Sequence, residues 1–481
     1  MKLIEKLAYS YQDLCLVPQP SKVLSRHEVS AATTLAPGLT LPMPIVGANM
    51  GHMGKRMCAT LARMGGIGVL YQDFELSDLE DRIAGVKAAH PLYELPTIQS
   101  PDATVGMALD FMYKKNFQSV VVVKNPETDL TPIGLCTREE LRKTSRTEKL
   151  KSVMSTDLVI AAEDVDLLEA SELLRKHHLT DLPVVDRQGK LAGCITPRDL
   201  SLRVKYRYRP ALDAKGRLRV GAAIGMRRGK GGRSPMALAR HLLERGVDLL
   251  VLDIANGYLA NFVELVRSVR AEVGPHFPLV AGNVATADGA AQLVEAGADC
   301  VKVGIGPGGA CTTRLMTGVG VPQATAVMEC AEVLHAAGKT CIADGGVRQP
   351  RDMALALALG ADAVMIGSAL SGTYESAFDE VERDGKLYKQ WRGNASQEAA
   401  SRRRENIGGH EIVLEELEHA EGHAGMVQVR GSAVHVLHRF TWGTHSAFTY
   451  SNAATLAEFR RSAILRVQTP SGYAEGEPHA F

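Results

Sequence analysis

Eight short apolar runs, each closing on small or polar residues, constrain this chain more than any other feature. They read PIVGANM (44–50), GIGVLYQ (66–72), RVGAAIG (219–225), LLVLDIANG (249–257), PLVAGNVA (278–285), CVKVGIGPG (300–308), TCIADGG (340–346) and AVMIGS (363–368). Segments of helical period separate most of them, such as SPMALARHLLERGVD, ADGAAQLVEAGAD and PRDMALALALGAD. A strand that is apolar throughout is buried on both faces, as in parallel sheets covered by helices. Eight such units predict an α/β fold, a (β/α)8 TIM barrel. An open doubly wound sheet is the competing arrangement, but no GxGxxG follows an early strand.

Reactive groups of a barrel gather at the C-terminal ends of its strands. The pattern puts Asn49, Met50, Asp253, Asn256, Gly282, Asn283, Gly304, Gly306, Asp344, Gly346, Gly367 and Ser368 there. Glycine and asparagine also simply turn a chain, which explains some of these. It explains Asp253 and Asp344 poorly, because each directly follows a buried strand.

Between the second and third runs lies far more chain than a barrel loop uses. This interval contains an internal repeat. The stretch 97–141, TIQSPDATVGMALDFMYKKNFQSVVVVKNPETDLTPIGLCTREEL, parallels 159–200, VIAAEDVDLLEASELLRKHHLTDLPVVDRQGKLAGCITPRDL. Each copy offers an extended entry, an amphipathic helix, two strands about a turn, and a polar helix start. Two copies predict a small pseudo-twofold domain inserted into the barrel. The expected organisation is barrel over 1–92, insertion over 93–205, and the rest of the barrel over 206–481 with a cysteine loop.

That loop reads GIGPGGACTTR (304–314). Its lack of side-chain bulk lets a ligand approach the backbone. Cysteine is among the commonest core residues. A thiol on such a loop, followed by two threonines, is instead a candidate nucleophile.

Bulk properties narrow the field. Lys plus Arg total 55 and Asp plus Glu 54, so the balance gives no sign of nucleic acid or an anionic membrane as partner. The triple arginine in SRRRE (401–405) reads as a solvated face. No apolar run approaches the roughly 20 residues of a membrane span. The start, MKLIEKLAYSYQDL, is too polar for a signal peptide. The eight cysteines form no CxxC pair, which argues against zinc and against a disulfide framework. The expectation is a reduced, cytoplasmic protein.

At the level of motifs, the paired repeats resemble tandem cystathionine-β-synthase (CBS) domains, with GCITPRDL as the closing motif. The barrel resembles the IMP dehydrogenase/GMP reductase family through YSYQDLCLVP, GRLRVGAAIG, AGNVAT, VKVGIGPGGACTTR, GVGVPQATAV, IADGGVR and VMIGSALSGT. The resemblance implies that Cys311 attacks carbon 2 of a purine and that Thr313 handles the departing or attacking group. It assigns the ribose hydroxyls to Asp344 and the 5′-phosphate to the backbone of Gly346, Gly367 and Ser368. Met50 would pack on the purine, with Gly393 also on the substrate side and Asp253, Asn256 and Asn283 on the cofactor side. The carbonyls of Gly304, Gly306 and Cys311 correspond to those that hold a monovalent cation, K+, in dehydrogenases. Glu421, in HAEGHAG, aligns with a proton-relaying glutamate of the flap. His419 and His423 beside it lack a third ligand at matching spacing, so a metal reading has little support. In the second repeat Thr196 and Asp199 would hold a regulatory purine nucleotide, ATP or GTP; Thr137 and Glu140 take those places in the first. A homotetramer, or an octamer through the insertion, is expected.

Three positions depart from the family pattern. Gly309 replaces a phosphate-binding serine, and Trp391 replaces a phosphate-binding tyrosine of the dehydrogenases. Met50-Gly51-His52-Met53 stands where MDTV is usual. The flap stretch SQEAASRRRENIGGHEIVLEELEHAEGHAG also lacks the Arg-Tyr pair to which the dehydrogenases owe water activation. Losing general-base help typically costs ~10²–10⁴-fold. ANM, DIANGY, CTTR, TGVG and VMEC lean the same way, whereas the insertion is typical of dehydrogenases. The implied activity is NADPH-dependent reductive deamination of GMP to IMP and ammonia. The alternative is oxidation of IMP to XMP with NAD. A non-catalytic nucleotide sensor is a third reading, disfavoured by the intact Cys311-Thr312-Thr313 loop and Asp344.

Overall fold

Eight parallel strands close on themselves: β1 (Ile45–Gly47), β2 (Ile67–Leu70), β3 (Val220–Ile224), β4 (Leu249–Asp253), β5 (Leu279–Val284), β6 (Cys300–Val303), β7 (Thr340–Asp344) and β8 (Ala363–Ile366). The pairing of β8 with β1, from Val364↔Ile45 to Ile366↔Gly47, shuts the ring. The protein is seen here as a computed structural model that describes residues 3–94, 98–115, 117–226, 234–393 and 423–477. The chain forms two compact units, Met1–Ala88 with Pro210–Phe481, and Ala89–Arg209.

Side chains alternate across each strand, so each contributes to two buried layers. Val46, Val69, Val251, Val280, Ile342 and Met365 belong to one cluster inside the barrel. Leu250, Leu252, Val301 and Val303, on the alternate positions, are equally buried. Double burial is the reason the strands read as continuous apolar runs. Helices on the outside start on recognisable signals. Ser234 and Thr286 accept the backbone N–H of Ala237 and Gly289, and Pro235 and Pro350 occupy first turns.

A hairpin of Thr33–Ala36 and Leu39–Leu41 stoppers the N-terminal mouth of the barrel. Leu35, Leu39 and Leu41 are fully buried members of the barrel cluster. The Leu35 carbonyl accepts the hydroxyl of Thr340, the first residue of β7, at 2.6 Å. Burial of each leucine contributes roughly 1.5–3 kcal/mol.

The barrel chain is interrupted after Ala88 and resumes at Pro210. Both ends are pinned within this unit. The Lys87 ammonium, buried, lies 3.0 Å from Asp213 and 2.7 Å from Asp248. Asp248 in turn accepts the N–H of Val220, so the returning chain is placed directly into β3.

The second unit contains the repeat twice in structure. One three-stranded sheet uses Ile98–Gln99, Ser119–Asn125 and Asp129–Thr137, and the other uses Ala161–Ala162, Leu182–Val185 and Leu191–Ile195. In each, the short first strand pairs parallel to the second and the second pairs antiparallel to the third. Each sheet carries its own apolar cluster, and Val121, Val123, Leu191 and Cys194 form a third that joins the copies.

Candidate active site

A cavity of about 360 Å³ opens at the C-terminal ends of the barrel strands, large enough for a small-molecule ligand. One wall is made of charged and amide side chains. Asp253 and Asp344 are the last residues of β4 and β7, and Lys302 rises between them from β6. The Lys302 ammonium is 2.7 Å from each carboxylate. Asn49 donates to Asp253 at 2.8 Å, and Asn283 donates to Asp344 at 2.9 Å and to the Gly304 carbonyl at 2.7 Å. Lys302 also donates to Asn283 Oδ1. Lys302 is 2 % exposed. Burial alone would pull its pKa down, but Asp253 and Asp344 outweigh that and hold it above the ordinary lysine range. Two carboxylates share one cation, so this wall presents net negative charge and acceptor oxygens. Hydroxyl donors suit it.

The facing wall is nearly bare backbone. β6 runs into Gly304-Ile305-Gly306-Pro307-Gly308-Gly309-Ala310-Cys311, and a turn closes with Cys311 N–H on the Gly308 carbonyl at 3.0 Å. Gly304 has φ +147°, and a Cβ there would sit 2.0 Å from the Asp344 carbonyl oxygen. Gly345, at φ +93°, would bring a Cβ within 2.8 Å of Pro307. The two glycines let the cysteine loop lie directly on the end of β7.

Cys311 Sγ lies 3.2 Å from Thr313 Oγ1, and both residues line the cavity. Cys311 is half-buried, unlike Cys58, Cys136, Cys194, Cys300, Cys330 and Cys341, which are buried. Burial pushes the thiols of Cys58, Cys136 and Cys330 up to about 12, where they are inert. Beyond the loop, the Ala310 carbonyl accepts the His423 N–H at 2.9 Å, and the His423 carbonyl accepts the Gly393 N–H at 3.0 Å.

Met50, Asp253, Asn283, Gly304, Gly306, Cys311, Thr313, Asp344, Gly346, Gly367, Ser368 and Gly393 all line this one cavity. Ser368 opens a helix of a single turn, Ser368–Ser371. Any anion there meets individual N–H groups rather than a developed macrodipole. Asn256 does not line the cavity: it is exposed, and its Oδ1 accepts the N–H of Tyr258 at 3.1 Å. A side chain three residues past a strand end is free to turn either way, and here it serves the turn. The carbonyl of Gly304 already accepts Asn283, so a cation would have to use its second lone pair. Glu421 and His419 lie outside the described residues.

Thr196 and Asp199, in the second unit, cap a helix reciprocally, with the Thr196 hydroxyl 2.7 Å from the Asp199 carboxylate. Burial lifts the Asp199 carboxyl above its usual range, partly countered by that hydroxyl. Thr137 and Glu140 repeat the arrangement at 2.6 Å, exposed.

Two features escape the sequence reading. Lys302 was hidden in plain view: a lysine in the middle of CVKVG is out of place in a doubly buried strand, and that anomaly was the signal. His52 is fully buried, and neither ring nitrogen has a hydrogen-bond partner among the described residues. Burial lowers its pKa to about 4, so the ring is neutral.

Comparison with known proteins agrees with this geometry. The family description "IMP dehydrogenase / GMP reductase domain" matches residues 8–479. A GMP reductase of Mycobacterium tuberculosis is 39% identical over 477 residues, covering 98% of this chain and 96% of that protein. An inosine-5′-monophosphate dehydrogenase of Nitrosopumilus maritimus is 35% identical over 478 residues, covering 98% of each. Among solved structures, a Trypanosoma brucei GMP reductase variant in complex with guanosine 5′-monophosphate superposes with a TM-score of 0.68 at 31% identity, covering 99% of this chain and 98% of that one. A barrel mouth with a loop thiol, matched over nearly the whole length by these relatives, makes the chain an oxidoreductase of the IMP dehydrogenase/GMP reductase family.

Proposed function

We propose that this protein is an NADPH-dependent GMP reductase, which converts GMP to IMP and ammonia in purine nucleotide interconversion. The observation that supports this direction lies in the sequence: residues 396–425 contain no tyrosine and no Arg-Tyr pair with which to activate water. The T. brucei relative, crystallised with guanosine 5′-monophosphate, supports the same substrate.

The site residues would act as follows. Asp344 accepts the ribose hydroxyls, and its position is fixed by Lys302 and Asn283. The backbone at Gly346, Gly367 and Ser368 receives the 5′-phosphate, and Met50 packs on the base. The Cys311 thiolate adds to purine C2, forming a C–S bond, and the 2-amino group leaves as ammonia. Thr313, adjacent to the thiol, and Glu421 deliver the proton that ammonia carries away. Bound NADPH supplies a hydride to C2. Re-formation of the C=N bond then expels the thiolate and releases IMP. Asp253 and Asn283, in the same wall, would take the cofactor side.

An assay of GMP with NADPH tests this directly. One ammonia and one IMP should appear for each NADPH consumed. Steady conversion of IMP to XMP with NAD, and no ammonia from GMP, would establish the dehydrogenase instead. That second reading is favoured by the inserted unit and by full-length relatives of that name, including one from Aquifex aeolicus at 37% identity.

The inserted unit is proposed as a CBS pair that binds ATP or GTP, with Thr196 and Asp199 at the better-buried site, in a cytoplasmic homotetramer or octamer. Regulation requires an effector that binds two states unequally. Kinetics and sedimentation with and without each nucleotide decide it; no change with either rejects it.

A further inference from the structure

The arm that carries the candidate nucleophile has no apolar anchor of its own. It leaves β6 after Gly304 and runs to Val321, and no residue from Ile305 to Val321 is buried. Its short helix, Thr313–Thr317, contributes no buried residue, and Leu315, Met316 and Val319 are exposed. A segment with few buried apolar contacts opens easily. A nucleophile, by contrast, works only when it is held within a fraction of an ångström of its target.

What holds the arm is polar. At its root, the Gln323 amide donates to the carbonyls of Val303, at 2.8 Å, and Asp344, at 3.1 Å, and so ties the ends of β6 and β7 together. Within the arm, the hydrogen bonds of Cys311 and Thr317 to Thr313 are local. Arg314 reaches across it. Its Nε and Nη2 each donate to the Ile305 carbonyl at 3.3 Å, and Nη2 also donates to the Val321 carbonyl. The guanidinium thus closes the neck of the arm, joining its first residue to its last. Two glycines make way for the side chain. A Cβ on Gly306, at φ +89°, would stand 2.5 Å from Arg314 Cγ, and one on Gly320, at φ +150°, would stand 2.6 Å from Nε. Among the described residues the guanidinium donates only to these neutral carbonyls. The position therefore uses the planar fork of arginine rather than an ion pair.

We propose that Arg314 is a positioning residue for Cys311: by bridging Ile305 and Val321 it holds the arm so that the thiol and the Thr313 hydroxyl meet the bound nucleotide. This role rests on Cys311 being the nucleophile of the cavity and holds for either direction of the reaction.

The test uses the full-length protein and the variants Arg314→Met, Arg314→Lys and Cys311→Ser. Turnover is measured with GMP and NADPH, and with IMP and NAD; GMP affinity is measured by calorimetry, and backbone amide exchange by mass spectrometry. Arg314→Met keeps the length of the side chain and loses its donors. It should lower kcat roughly 10- to 100-fold, the scale of a small misplacement of reacting groups, and leave GMP affinity little changed. Amide exchange should quicken over 305–321 and not in the barrel strands. Arg314→Lys keeps the charge without the fork, and should fall nearer to Arg314→Met than to the parent. An unchanged kcat in Arg314→Met, or a parent-like Arg314→Lys, would overturn the proposal. So would a loss of GMP affinity equal to the loss of kcat with exchange quickened throughout the barrel, which marks a merely structural residue. A dead Cys311→Ser beside a fully active Arg314→Met rejects the proposal alone. Near-normal turnover in Cys311→Ser, or no turnover by the parent with either pair, rejects the nucleophile and the proposal with it.

Discussion

The two walls of the cavity are built by opposite means. On the β4–β7 side, recognition is in side chains: Asp253, Asn283, Lys302 and Asp344 are locked into one hydrogen-bonded set. On the cysteine-loop side there is little but backbone, with one thiol and one hydroxyl set on a run of glycines. The first wall is stiff because charges compensate one another in a dry place. The second is close-fitting because side chains are missing. A change of charge should therefore hurt the first wall, and a change of bulk or of the reacting atom the second.

The largest effect belongs to the reacting atom. Cys311→Ser should keep nucleotide affinity, measured by calorimetry, and lose turnover by at least ~10³-fold, the scale seen when nucleophiles are removed. Near-normal turnover would sink covalent catalysis here.

Lys302→Met attacks the charged wall. It leaves the half-buried Asp253 and Asp344 side by side without their cation, and the cost should approach the about 3–5 kcal/mol of breaking a fully buried set. Two carboxylates sharing a site resist ionising together, so the folded mutant should take up protons that the unfolded chain does not. Its deficit relative to the parent should therefore be largest at pH 7 and shrink toward pH 5 in denaturant melts. A deficit that ignores pH would mean the ammonium is not neutralising these carboxylates.

His52 lies between the two cases, a polar group in a place built for apolar packing. Its folded pKa of about 4 is below the unfolded value of 6.5, so the unfolded state binds more protons in between. Stability is complete above pH 6.5 and is lost as pH falls toward 4, by about 3 kcal/mol from this residue. His445, also lowered to about 4, adds a similar slope. His52→Leu should flatten the acid side of the stability curve without abolishing its slope. An unchanged curve would show that His52 is not a buried neutral imidazole.

The smallest effect is one of bulk. Gly345→Ala places a methyl 2.8 Å from Pro307 at a left-handed φ. The strain should be about 1–3 kcal/mol, and it should lift the cysteine loop. A lower kcat with nucleotide affinity little changed is the expected signature; a loss confined to affinity would say that the loop holds its place without close contact.

How much of this was legible in the chain follows from the same contrast. The barrel strands were readable because burial on both faces leaves an unbroken apolar run, and all eight lie inside the stretches read from the sequence. The cysteine loop was readable because backbone proximity demands glycine, and glycine is visible. Asp253 and Asp344 stood out by following buried strands. The partnership of Lys302 with both could not be read, because it joins strands β4, β6 and β7, which are distant in sequence. Asn256 stands outside the cavity lining for a local reason: an asparagine beyond a strand end serves a turn as readily as a ligand, and here its Oδ1 holds the N–H of Tyr258.

The hairpin stopper at Leu35, Leu39 and Leu41 has a consequence for traffic. Packed side chains fill the barrel from the hairpin up, so a ligand of the cavity comes and goes at the rim where the cysteine loop sits, and the closed end serves stability alone.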